Sequence, residues 1–401
     1  MISVDDYRAS VTELLGRRDP VRRPLGECAG LVLAEDVLAG VSLPPFDNSA
    51  MDGYAVRAAD VAGASADHPV ELPVTADIPA GRTDPPELAT GTAHRIMTGA
   101  PMPPGADAVV MVEHTDGGTE NVLIREAATV DAHVRHAGED VAKGTVALSA
   151  GTVLGPPQLG LASAVGLDRL TVWAPLRVLV VSTGSELVVP PAELRFGQIY
   201  ESNSIMLEAG IRALGCEVEI VRSVVDDVDE FRRILEPKLS GTDLVVTSGG
   251  VSAGAYEVVK DALTGAGVTF SKVAMQPGGP QGNGRWQGVP VVTLPGNPVS
   301  VLVSFEVFLR PAILSALGHT AVSRHRVRAR LTERLKSPAG RRQFRRGYYW
   351  QLEGEVTGEV GPRGGPGSHL LAAFTQANCL IVLPEDVTEA AEGSEVDVLL
   401  F

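Results

Sequence analysis

The middle third of the chain alternates between two patterns of apolar residues. Short runs rich in Val, Leu and Ile are followed by segments whose apolar residues recur every three or four positions. The first pattern is typical of buried strands and the second of helices with one apolar face. The predicted strands are Leu176–Ser182, Val218–Val225, Asp243–Thr247, Val268–Met275 and Val289–Leu294, and the predicted helices are Asn203–Gly215, Asp229–Leu239, Glu257–Leu263 and Pro298–Leu317. The alternation predicts a doubly wound, mostly parallel sheet with helices on both faces, in an α/β domain of residues 175–318.

The regions on either side of this domain have different patterns. Residues 40–144 carry short strand-like runs between Pro and Gly residues and predict a β-rich N-terminal lobe, and residues 324–401 predict a small C-terminal domain of β-barrel type. Residues 1–39 and 145–174 look helical, and we expect them to pack together as a discontinuous linking domain. The strand-like runs are Val70–Ala76, Ala108–His114 and Asn121–Ile124 in the lobe, and His325–Leu331, Arg345–Leu352, Cys379–Leu383 and Glu395–Leu400 in the C-terminal domain.

Composition and charge narrow the classes of function. Hydrophobic residues make up 44% of the chain and charged residues 21%, which is typical of a packed multidomain protein. The net charge of −15 argues against a nucleic-acid partner, which would require a broad basic surface. No apolar run approaches the roughly 20 residues of a membrane span, so we expect no membrane partner.

The cysteines and the N-terminus predict a cytoplasmic location. Cys28, Cys216 and Cys379 are far apart and form no Cys-X-X-Cys motif, so we expect buried thiols in a reducing compartment. The N-terminal segment is acidic and amphipathic, without the basic and apolar regions of a secretion signal.

Three glycine-containing loops follow strands of the predicted central sheet. They are Ser182–Leu187, Thr247–Gly254 and Leu294–Ser300, the last of which enters a helix with Asn297 at the N-cap and Pro298 in the first turn. Because the carboxyl ends of parallel strands meet at one edge of a sheet, we expect these loops to lie together. Glycines beside hydroxyl side chains let the backbone approach an anion closely. Each loop alone could be an ordinary turn, whereas three on one edge favour a ligand site.

A fourth loop, Pro44–Val56, concentrates polar groups in an otherwise apolar stretch. It contains two aspartates, an asparagine, a serine and a tyrosine, although Asp52-Gly53 alone would make a turn. We expect these polar groups to face a ligand, which could lie across a subunit boundary.

Four of these motifs together resemble those of the molybdopterin molybdenumtransferases, a family that includes the bacterial MoeA proteins and the gephyrin E domain. The motifs are Pro44–Val56, Gly138–Asp140, the Thr-Ser-Gly-Gly-Val-Ser loop and the Pro-Gly-Asn-Pro loop, in the same order along essentially the whole chain. The resemblance implies insertion of molybdenum from molybdate into adenylylated molybdopterin with release of AMP, assisted by a divalent cation such as Mg²⁺. It also implies a homodimer in which the Asp52 loop completes the partner's site, and further proteins of molybdenum-cofactor biosynthesis as partners.

The resemblance assigns site residues as well. Carboxylates that hold a hard cation and donors that position phosphate oxygens suit the cleavage of a phosphoanhydride. The catalytic candidates are Asp52, Asp140, Glu186, Asp226 and Glu257, of which Glu186, Asp226 and Glu257 would bind the metal. The substrate-binding candidates are Ser49, Thr98, Thr183, Gly184, Ser248, Gly249, Gly250, Ser252, Pro277, Gly278, Pro295, Gly296, Asn297, Pro298, Arg346 and Ser368.

Arg346 and Ser368 match family positions near molybdate. The stretch Arg324–Arg346 holds ten of the chain's 34 Lys and Arg residues, and the other cations there are assigned to a solvated strand face.

Several positions depart from the family pattern. Ala255 stands where an acidic residue is usual, Gln276 and Gly279 stand where many relatives have lysine, and Ser185 replaces a common Asp. Each lost charged hydrogen bond would weaken binding by on the order of 1.5–3 kcal/mol. Two alternatives therefore stay open: a paralogue that uses tungstate or has low activity, and a non-catalytic molybdopterin-binding scaffold. The lack of an appended domain counts against the scaffold.

Overall fold

The computed structural model describes residues 1–224, 227–250 and 258–401. It begins with helix α1, Val4–Leu15, whose first turn is capped by the Ser3 Oγ, which accepts the Asp6 N–H at 3.0 Å. The helix buries Tyr7 edge-on against Phe308 of the central domain, with the ring centroids 4.8 Å apart. The N-terminal segment is therefore anchored on the central core.

The rest of the N-terminal segment is strand and turn. It contains β1 (Pro20–Pro24), a 3₁₀ turn (Leu25–Glu27) and β2 (Val37–Leu38). The predicted helical character of residues 1–39 is therefore wrong beyond α1. Each of these strands pairs with the later segment described below, and that tertiary pairing overrides local helix propensity.

The next region is the β-rich lobe. Its strands are β3 (Asn48–Ser49), β4 (Gly53–Val56), β5 (Val70–Ile78), β6 (Ala93–Ile96), β7 (Ala108–Met111), β8 (Asn121–Ile124) and β9 (Val134–Arg135), with 3₁₀ turns at Ala58–Asp60 and Val112–His114. Five of them form one sheet in the order β7-β4-β6-β5-β8, and β3 pairs with β9. The sequence patterns miss β4, which lies inside the polar Pro44–Val56 loop, and β6, in which His94 and Arg95 interrupt the apolar run.

The chain then returns to the linking region through β10 (Val146–Leu148), α2 (Pro156–Ala164) and β11 (Arg169–Trp173). β10 pairs antiparallel with β2, and β11 pairs antiparallel with β1. The second segment, 145–174, thus contains one helix between two strands, and not the wholly helical structure predicted. Leu33, Leu154 and Val172 are fully buried between the two segments.

The central domain carries most of the predicted alternation. Its elements are β12 (Arg177–Thr183), β13 (Leu187–Val188), β14 (Ile199–Tyr200), α3 (Asn203–Arg212), β15 (Glu217–Val224), α4 (Val228–Leu239), β16 (Leu244–Ser248), α5 (Val258–Leu263), β17 (Val268–Lys272), β18 (Met275–Gln276), β19 (Pro280–Trp286) and β20 (Val289–Leu294). The sheet order is β15-β12-β16-β20-β19-β17, in which β15, β12, β16 and β20 are parallel. The predicted doubly wound, mostly parallel sheet is confirmed.

Strand β19 is the element of this sheet that the sequence patterns miss. Its sequence, Pro-Gln-Gly-Asn-Gly-Arg-Trp, has the composition of a loop, yet it pairs antiparallel with both β17 and β20. The glycines make this possible, because a Cβ at Gly284 would lie 2.1 Å from the Gly267 carbonyl oxygen.

Alternate residues of the parallel strands bury into two cores. Val178 and Val180 of β12 face α1, α3 and the last helix of the domain, whereas Leu179 and Val181 face α4 and α5. This arrangement places the strand ends, and not the sheet faces, in contact with solvent.

The last helix of the domain runs from Pro298 to Ala316 as α6 (Pro298–Ser304), a π-helical turn (Phe305–Leu309) and α7 (Arg310–Ala316). By length and composition it could cross a membrane, with a mean hydropathy of 1.7, so the expectation that no apolar run approaches that length is wrong. Within the protein, however, 78% of its most apolar window is buried. A helix surrounded by its own domain must be apolar on every side.

The C-terminal domain is a closed barrel, as predicted. Its elements are β21 (Arg326–Leu331), β22 (Leu335–Lys336), β23 (Arg342–Trp350), β24 (Gly358–Pro362), α8 (Leu371–Phe374), β25 (Cys379–Leu383), β26 (Glu389–Ala390) and β27 (Glu395–Leu400). Strands β23, β24, β21, β27 and β25 pair in that order, and β25 closes the barrel onto β23. β18 of the central domain also pairs with β23 and so joins the two domains.

Candidate functional site

The three glycine-containing loops meet at the carboxyl edge of the parallel strands. Register pairs Ser182 with Ser248 and Ser248 with Leu294, so the strands β12, β16 and β20 end side by side. A cavity of about 520 Å³ lies beyond them. Nine of the predicted site residues line it: Thr183, Gly184, Glu186, Ser248, Gly249, Gly250, Gly296, Asn297 and Pro298.

Two hydroxyl groups in this cavity are buried without a hydrogen-bond partner among the described residues. They are the Thr183 Oγ1, on a side chain 5% exposed, and the Ser248 Oγ, on one 1% exposed. Buried polar atoms in native proteins are nearly always paired, so these two oxygens are suited to a polar ligand.

The glycines of the second loop are required by geometry. Gly249 has a φ of 92°, and a Cβ there would lie 2.8 Å from the Thr183 carbonyl oxygen. Gly250 has a φ of 68°, and a Cβ there would lie 2.8 Å from Val259 Cγ2. A side chain at Gly249 would push the first two loops apart, and a side chain at Gly250 would collide with α5.

The segment that leads into α3 completes the cavity and was missed by the sequence patterns. Glu201 is buried there and accepts hydrogen bonds from the Ser204 N–H at 2.8 Å and the Ser204 Oγ at 2.5 Å. The Asn203 Nδ2 donates to the Gly296 carbonyl at 2.7 Å, which ties this segment to the third loop. Glu201 lies just before α3 and its carboxylate accepts from the second residue of that helix, but nothing in the sequence indicates that it faces a cavity.

Of the three residues predicted to bind a metal, the structure describes Glu186. Its carboxylate folds over Gly184, so that a Cβ on Gly184 would lie 2.7 Å from Glu186 Oε2. Asp226 and Glu257, with the predicted binding residue Ser252, lie outside the described residues. Within the described ranges, no group of three or more His, Cys, Asp or Glu side chains is arranged to hold a metal ion.

A second cavity of about 380 Å³ adjoins the first, because Asn297 lines both. The predicted residues Pro277, Gly278, Pro295 and Ser368 line it. The Ser368 carbonyl accepts the Val299 N–H at 3.1 Å, which holds the barrel loop against the start of α6. At the N-cap itself, the Asn297 side chain makes no capping hydrogen bond.

Two buried glutamines fix the wall of this second cavity. The Gln281 Nε2 donates to the Gly278 carbonyl at 2.7 Å and to the Ser304 Oγ at 2.6 Å. The Gln343 Nε2, from barrel strand β23, donates to the Gln276 Oε1 at 2.8 Å. Gln276, which stands where many relatives have lysine, is therefore held by a neutral amide.

Arg346 lies behind the second cavity and does not line it. Its side chain is 4% exposed and donates hydrogen bonds to the carbonyls of Arg363 (3.4 Å), Gly367 (3.1 Å) and Gly365. Burial, and then the charge of Arg345, lowers the pKa of Arg346. An arginine remains protonated under such conditions, so it supplies positive potential and fixes the loop that carries Ser368.

The remaining predicted residues form a separate cluster in the β-rich lobe. The Asp52 Oδ1 accepts the Thr98 N–H at 2.6 Å and the Thr98 Oγ1 at 2.8 Å, and these bonds lower the pKa of Asp52. Ser49 is buried and donates through Oγ to the Met51 carbonyl at 2.6 Å. No residue of this lobe lines either cavity of the same chain, as far as the described residues go.

The Gly138–Asp140 motif lies beside the Pro44–Val56 loop. The Gly138 N–H donates to the Pro44 carbonyl at 2.9 Å, and the Asp140 N–H donates to the Leu43 carbonyl at 3.0 Å. His136 is a neighbour that the sequence patterns missed, with Nδ1 3.4 Å from Asp47 Oδ2. The two motifs thus form one polar surface, on which Asp52 and Asp140 are both exposed.

A further cavity, of about 300 Å³, lies between α1, the last helix of the central domain and the barrel. Its arginines are paired with acids, Arg342 with Asp5 at 2.8 Å and Arg324 with Glu306 at 2.8 Å. None of the predicted site residues that the structure describes lines it. The better candidate site is therefore the pair of adjoining cavities at the strand ends.

Three family models match the chain in order. The MoeA N-terminal region (domains I and II) matches residues 2–166, the probable molybdopterin binding domain matches 179–315, and the MoeA C-terminal region (domain IV) matches 328–401. The chain belongs to the MoeA family. The resemblance predicted from the four motifs is confirmed.

Full-length relatives of this MoeA-family chain carry enzyme names. It is 53% identical over 405 residues to molybdopterin molybdenumtransferase 2 of Mycobacterium tuberculosis, covering 99% of each chain. It is 36% identical to the molybdopterin molybdenumtransferase of Haemophilus influenzae, covering 99% of this chain and 98% of the other. The predicted class, a transferase, is confirmed.

A solved structure of similar architecture is the molybdopterin biosynthesis MoeA protein of a Pyrococcus species. It has a TM-score of 0.84 at 34% identity, and the match covers 100% of this chain and 99% of that one. The structural similarity to a MoeA protein therefore extends over the central sheet, the lobe and the barrel.

Proposed function

We propose that this chain inserts molybdenum from molybdate into adenylylated molybdopterin and releases AMP. The observation that carries the proposal is the pair of adjoining cavities at the carboxyl edge of the sheet, in a chain that matches molybdopterin molybdenumtransferases from end to end. One cavity offers hydroxyl groups and a carboxylate, and the other lies in front of a buried arginine. Such a division suits a phosphorylated organic substrate beside a small oxyanion.

The larger cavity is assigned to the adenylylated substrate. The unpartnered Thr183 and Ser248 hydroxyls can donate to phosphate oxygens. The glycines of these loops carry no side chain that would block a bulky ligand. Molybdate, as a substrate, is assigned to the smaller cavity. There the Ser368 segment and the positive potential of Arg346 favour a dianion.

A Mg²⁺ ion fits the donor chemistry of the larger cavity. Glu186 and Glu201 both line it and offer the carboxylate oxygens that hard cations prefer. When bound, the ion would neutralise charge on the phosphoanhydride as AMP leaves. Glu186 is assigned as a ligand, together with Asp226 and Glu257 from the family pattern, while Glu201 is engaged with Ser204.

The homodimer is part of the proposal because the site is divided between two surfaces that do not meet within one chain. Apolar side chains are exposed on both of them. Phe196, Ile199 and Tyr200 are exposed near the larger cavity, and Val41 and Phe46 are exposed in or beside the Pro44–Val56 loop. A second copy that buries both sets would bring Asp52 and Asp140 to the partner's cavity. Other cofactor-biosynthesis proteins are proposed as further partners and the cytoplasm as the location.

Altered metal use or low turnover is the second candidate function. It is favoured by Gln276, whose side chain bonds to Gln343 and leaves the smaller cavity without the cation that lysine would supply. Fewer cations would lower the affinity for any oxyanion substrate.

The decisive experiment supplies the purified protein with adenylylated molybdopterin, Mg²⁺ and either molybdate or tungstate, and measures AMP release by chromatography. Faster release with molybdate, lost on removal of Mg²⁺, supports the first function. Faster release with tungstate supports the second. Tight binding of the adenylylated substrate with no AMP release in either arm contradicts both and favours the scaffold alternative.

A further inference from the structure

A third polar cavity lies on the barrel, on the other side of the loop that borders the smaller cavity. It measures about 500 Å³, and its charged lining consists of Arg345, Arg334, Lys336 and Glu333. Its remaining wall consists of Leu335, Pro362 and Gly364–Pro366. The sequence patterns had assigned these cations to a solvated strand face.

Arg345 lies partly buried in this cavity without a matching anion. Its guanidinium donates to the Gly364 carbonyl at 3.2 Å. Burial lowers the pKa of Arg345, and Glu333 opposes that effect only through its charge, with no hydrogen bond between the two side chains. Because arginine stays protonated, the cost of its burial falls when an anion binds next to it.

The other cations of the cavity strengthen this excess of positive charge. Arg334 is paired with Glu389 outside the cavity. Among the described residues, Lys336 and Arg345 form no ion pair, and Glu333 is an exposed side chain. Because Glu389 neutralises Arg334, two unpaired cations of the described lining, Lys336 and Arg345, face one acid, on a chain whose net charge is −15. The positive potential is local, which excludes a large polyanion and favours a small one.

The loop of residues 363–367 stands between this cavity and the smaller cavity of the candidate site. Successive side chains of β23 project to opposite sides, and both arginines at its centre bond to this loop. Arg345 binds the Gly364 carbonyl, whereas Arg346 binds the carbonyls of Arg363, Gly365 and Gly367. Pro366 lines both cavities, so one loop separates the two regions of positive potential.

We infer that this barrel cavity is a second binding site for a small tetrahedral dianion such as molybdate, sulfate or phosphate. Arg345 forms its floor, and Lys336 and Arg334 its rim. The site is distinct from the smaller cavity beside Ser368 and does not depend on the chemistry proposed for that cavity.

The test measures binding of radiolabelled molybdate to the full-length protein by equilibrium dialysis, with sulfate and phosphate as competitors at constant ionic strength. We expect Arg345→Gln to weaken the barrel site by about tenfold to a hundredfold, since it loses a charge-assisted hydrogen bond. Lys336→Gln, an exposed substitution that does not threaten folding, is expected to weaken it by about threefold. Arg330→Gln is the matched control, because Arg330 is exposed on the same barrel and does not line this cavity.

Ser368→Ala separates the two sites. If the inference is right, binding lost in Lys336→Gln and Arg345→Gln is retained in Ser368→Ala, even if the smaller cavity binds no molybdate at all. Unchanged dialysis curves for Lys336→Gln and Arg345→Gln, indistinguishable from Arg330→Gln, would overturn it. Competition by sulfate and phosphate identifies a general dianion site, whereas a site that binds molybdate alone supports capture of the metal substrate.

Discussion

The two polar surfaces of this protein are built in different ways. The larger cavity lies on strand ends whose side chains are buried, and its hydroxyls and glycines are held by the central sheet. The polar surface formed by the Pro44–Val56 loop and the Gly138–Asp140 motif is exposed. Its carboxylates are held by hydrogen bonds rather than by burial, Asp52 by Thr98 and Asp47 by the Ala137 N–H. A rigid pocket positions a ligand, whereas an exposed carboxylate on a loop becomes useful only when another surface is brought to it. The difference agrees with the proposed homodimer, in which the site is complete only in the assembly.

The largest expected effect tests that division directly. Ser248→Ala in the cavity and Asp52→Asn on the lobe should each reduce AMP release by about a hundredfold, since each removes a group from the proposed reacting site. With the proposed homodimer, co-expression of the two variants should restore about one quarter of the wild-type rate, because half of the dimers would be mixed and each mixed dimer would have one intact site. Failure to recover activity in a purified mixed dimer would place both groups in one chain's site.

Arg346→Ala should have the next largest effect, on stability. It leaves the carbonyls of Arg363, Gly365 and Gly367 without their shared donor, so we expect the free energy of unfolding to fall by about 3 kcal/mol. Urea denaturation followed by circular dichroism measures the change. Arg330→Ala on the barrel surface should change it by less than about 0.5 kcal/mol, and equal effects of the two substitutions would contradict the role given to Arg346.

Gly249→Ala tests how closely the loops at the strand ends approach each other. Both the positive φ and the 2.8 Å approach to the Thr183 carbonyl oppose a Cβ, so we expect a loss of about 2 kcal/mol in unfolding free energy and a fall in AMP release. Gly288→Ala is the matched control, because Gly288 has a φ of 85° but nothing within 4 Å of its Cβ position. The difference between the two variants isolates the contact from the backbone strain.

The smallest expected effect concerns the lobe at acid pH. His94 is 2% exposed, and burial lowers its pKa from the ordinary value of 6.5. The unfolded chain therefore takes up the proton first as the pH falls. The stability contributed by neutral His94 is present above pH 6.5 and is lost as the pH falls through the lowered pKa, by at most about 1.4 kcal/mol per pH unit.

His94→Leu should flatten the dependence of unfolding free energy on pH between 6.5 and the lowered pKa of His94. His319 has a pKa lowered by burial as well, so some dependence should persist. The measurement is urea denaturation at a series of pH values, and a slope as steep as that of the unsubstituted protein would remove His94 as a cause.

The central sheet could be predicted because its strands and helices differ strongly in apolar period. Val289–Leu294 is found where predicted, and the start of the last helix follows from Asn297 and Pro298. β19 could not be predicted, because Gly282 makes room for the Thr293 and Phe270 side chains and Gly284 for the Gly267 backbone. A single sequence does not reveal such neighbours. The helical prediction for the linking segments was wrong for a related reason. β1 and β2 form only because residues more than a hundred positions away pair with them.

The site was predictable as far as its residues lie in loops that follow strands. Thr183, Ser248 and Asn297 meet at one edge because parallel strands require it. Glu201 and Gln343 were missed because the first follows a two-residue strand and the second belongs to another domain, so only tertiary structure brings them to the cavities. Arg346 was predicted as a binding group, but its burial behind the loop makes it a support for Ser368 as well.

Strand β18, only two residues long, has a mechanical consequence. The chain leaves the central sheet after β17, adds β18 to barrel strand β23 and then continues as a wall of the smaller cavity. The barrel is held against the central domain, because moving it would break the main-chain hydrogen bonds between β18 and β23 together with the side-chain hydrogen bond between Gln343 and Gln276. The barrel therefore stays in place, and its loop of residues 363–367 remains fixed beside the smaller cavity, which Pro366 and Gly367 line.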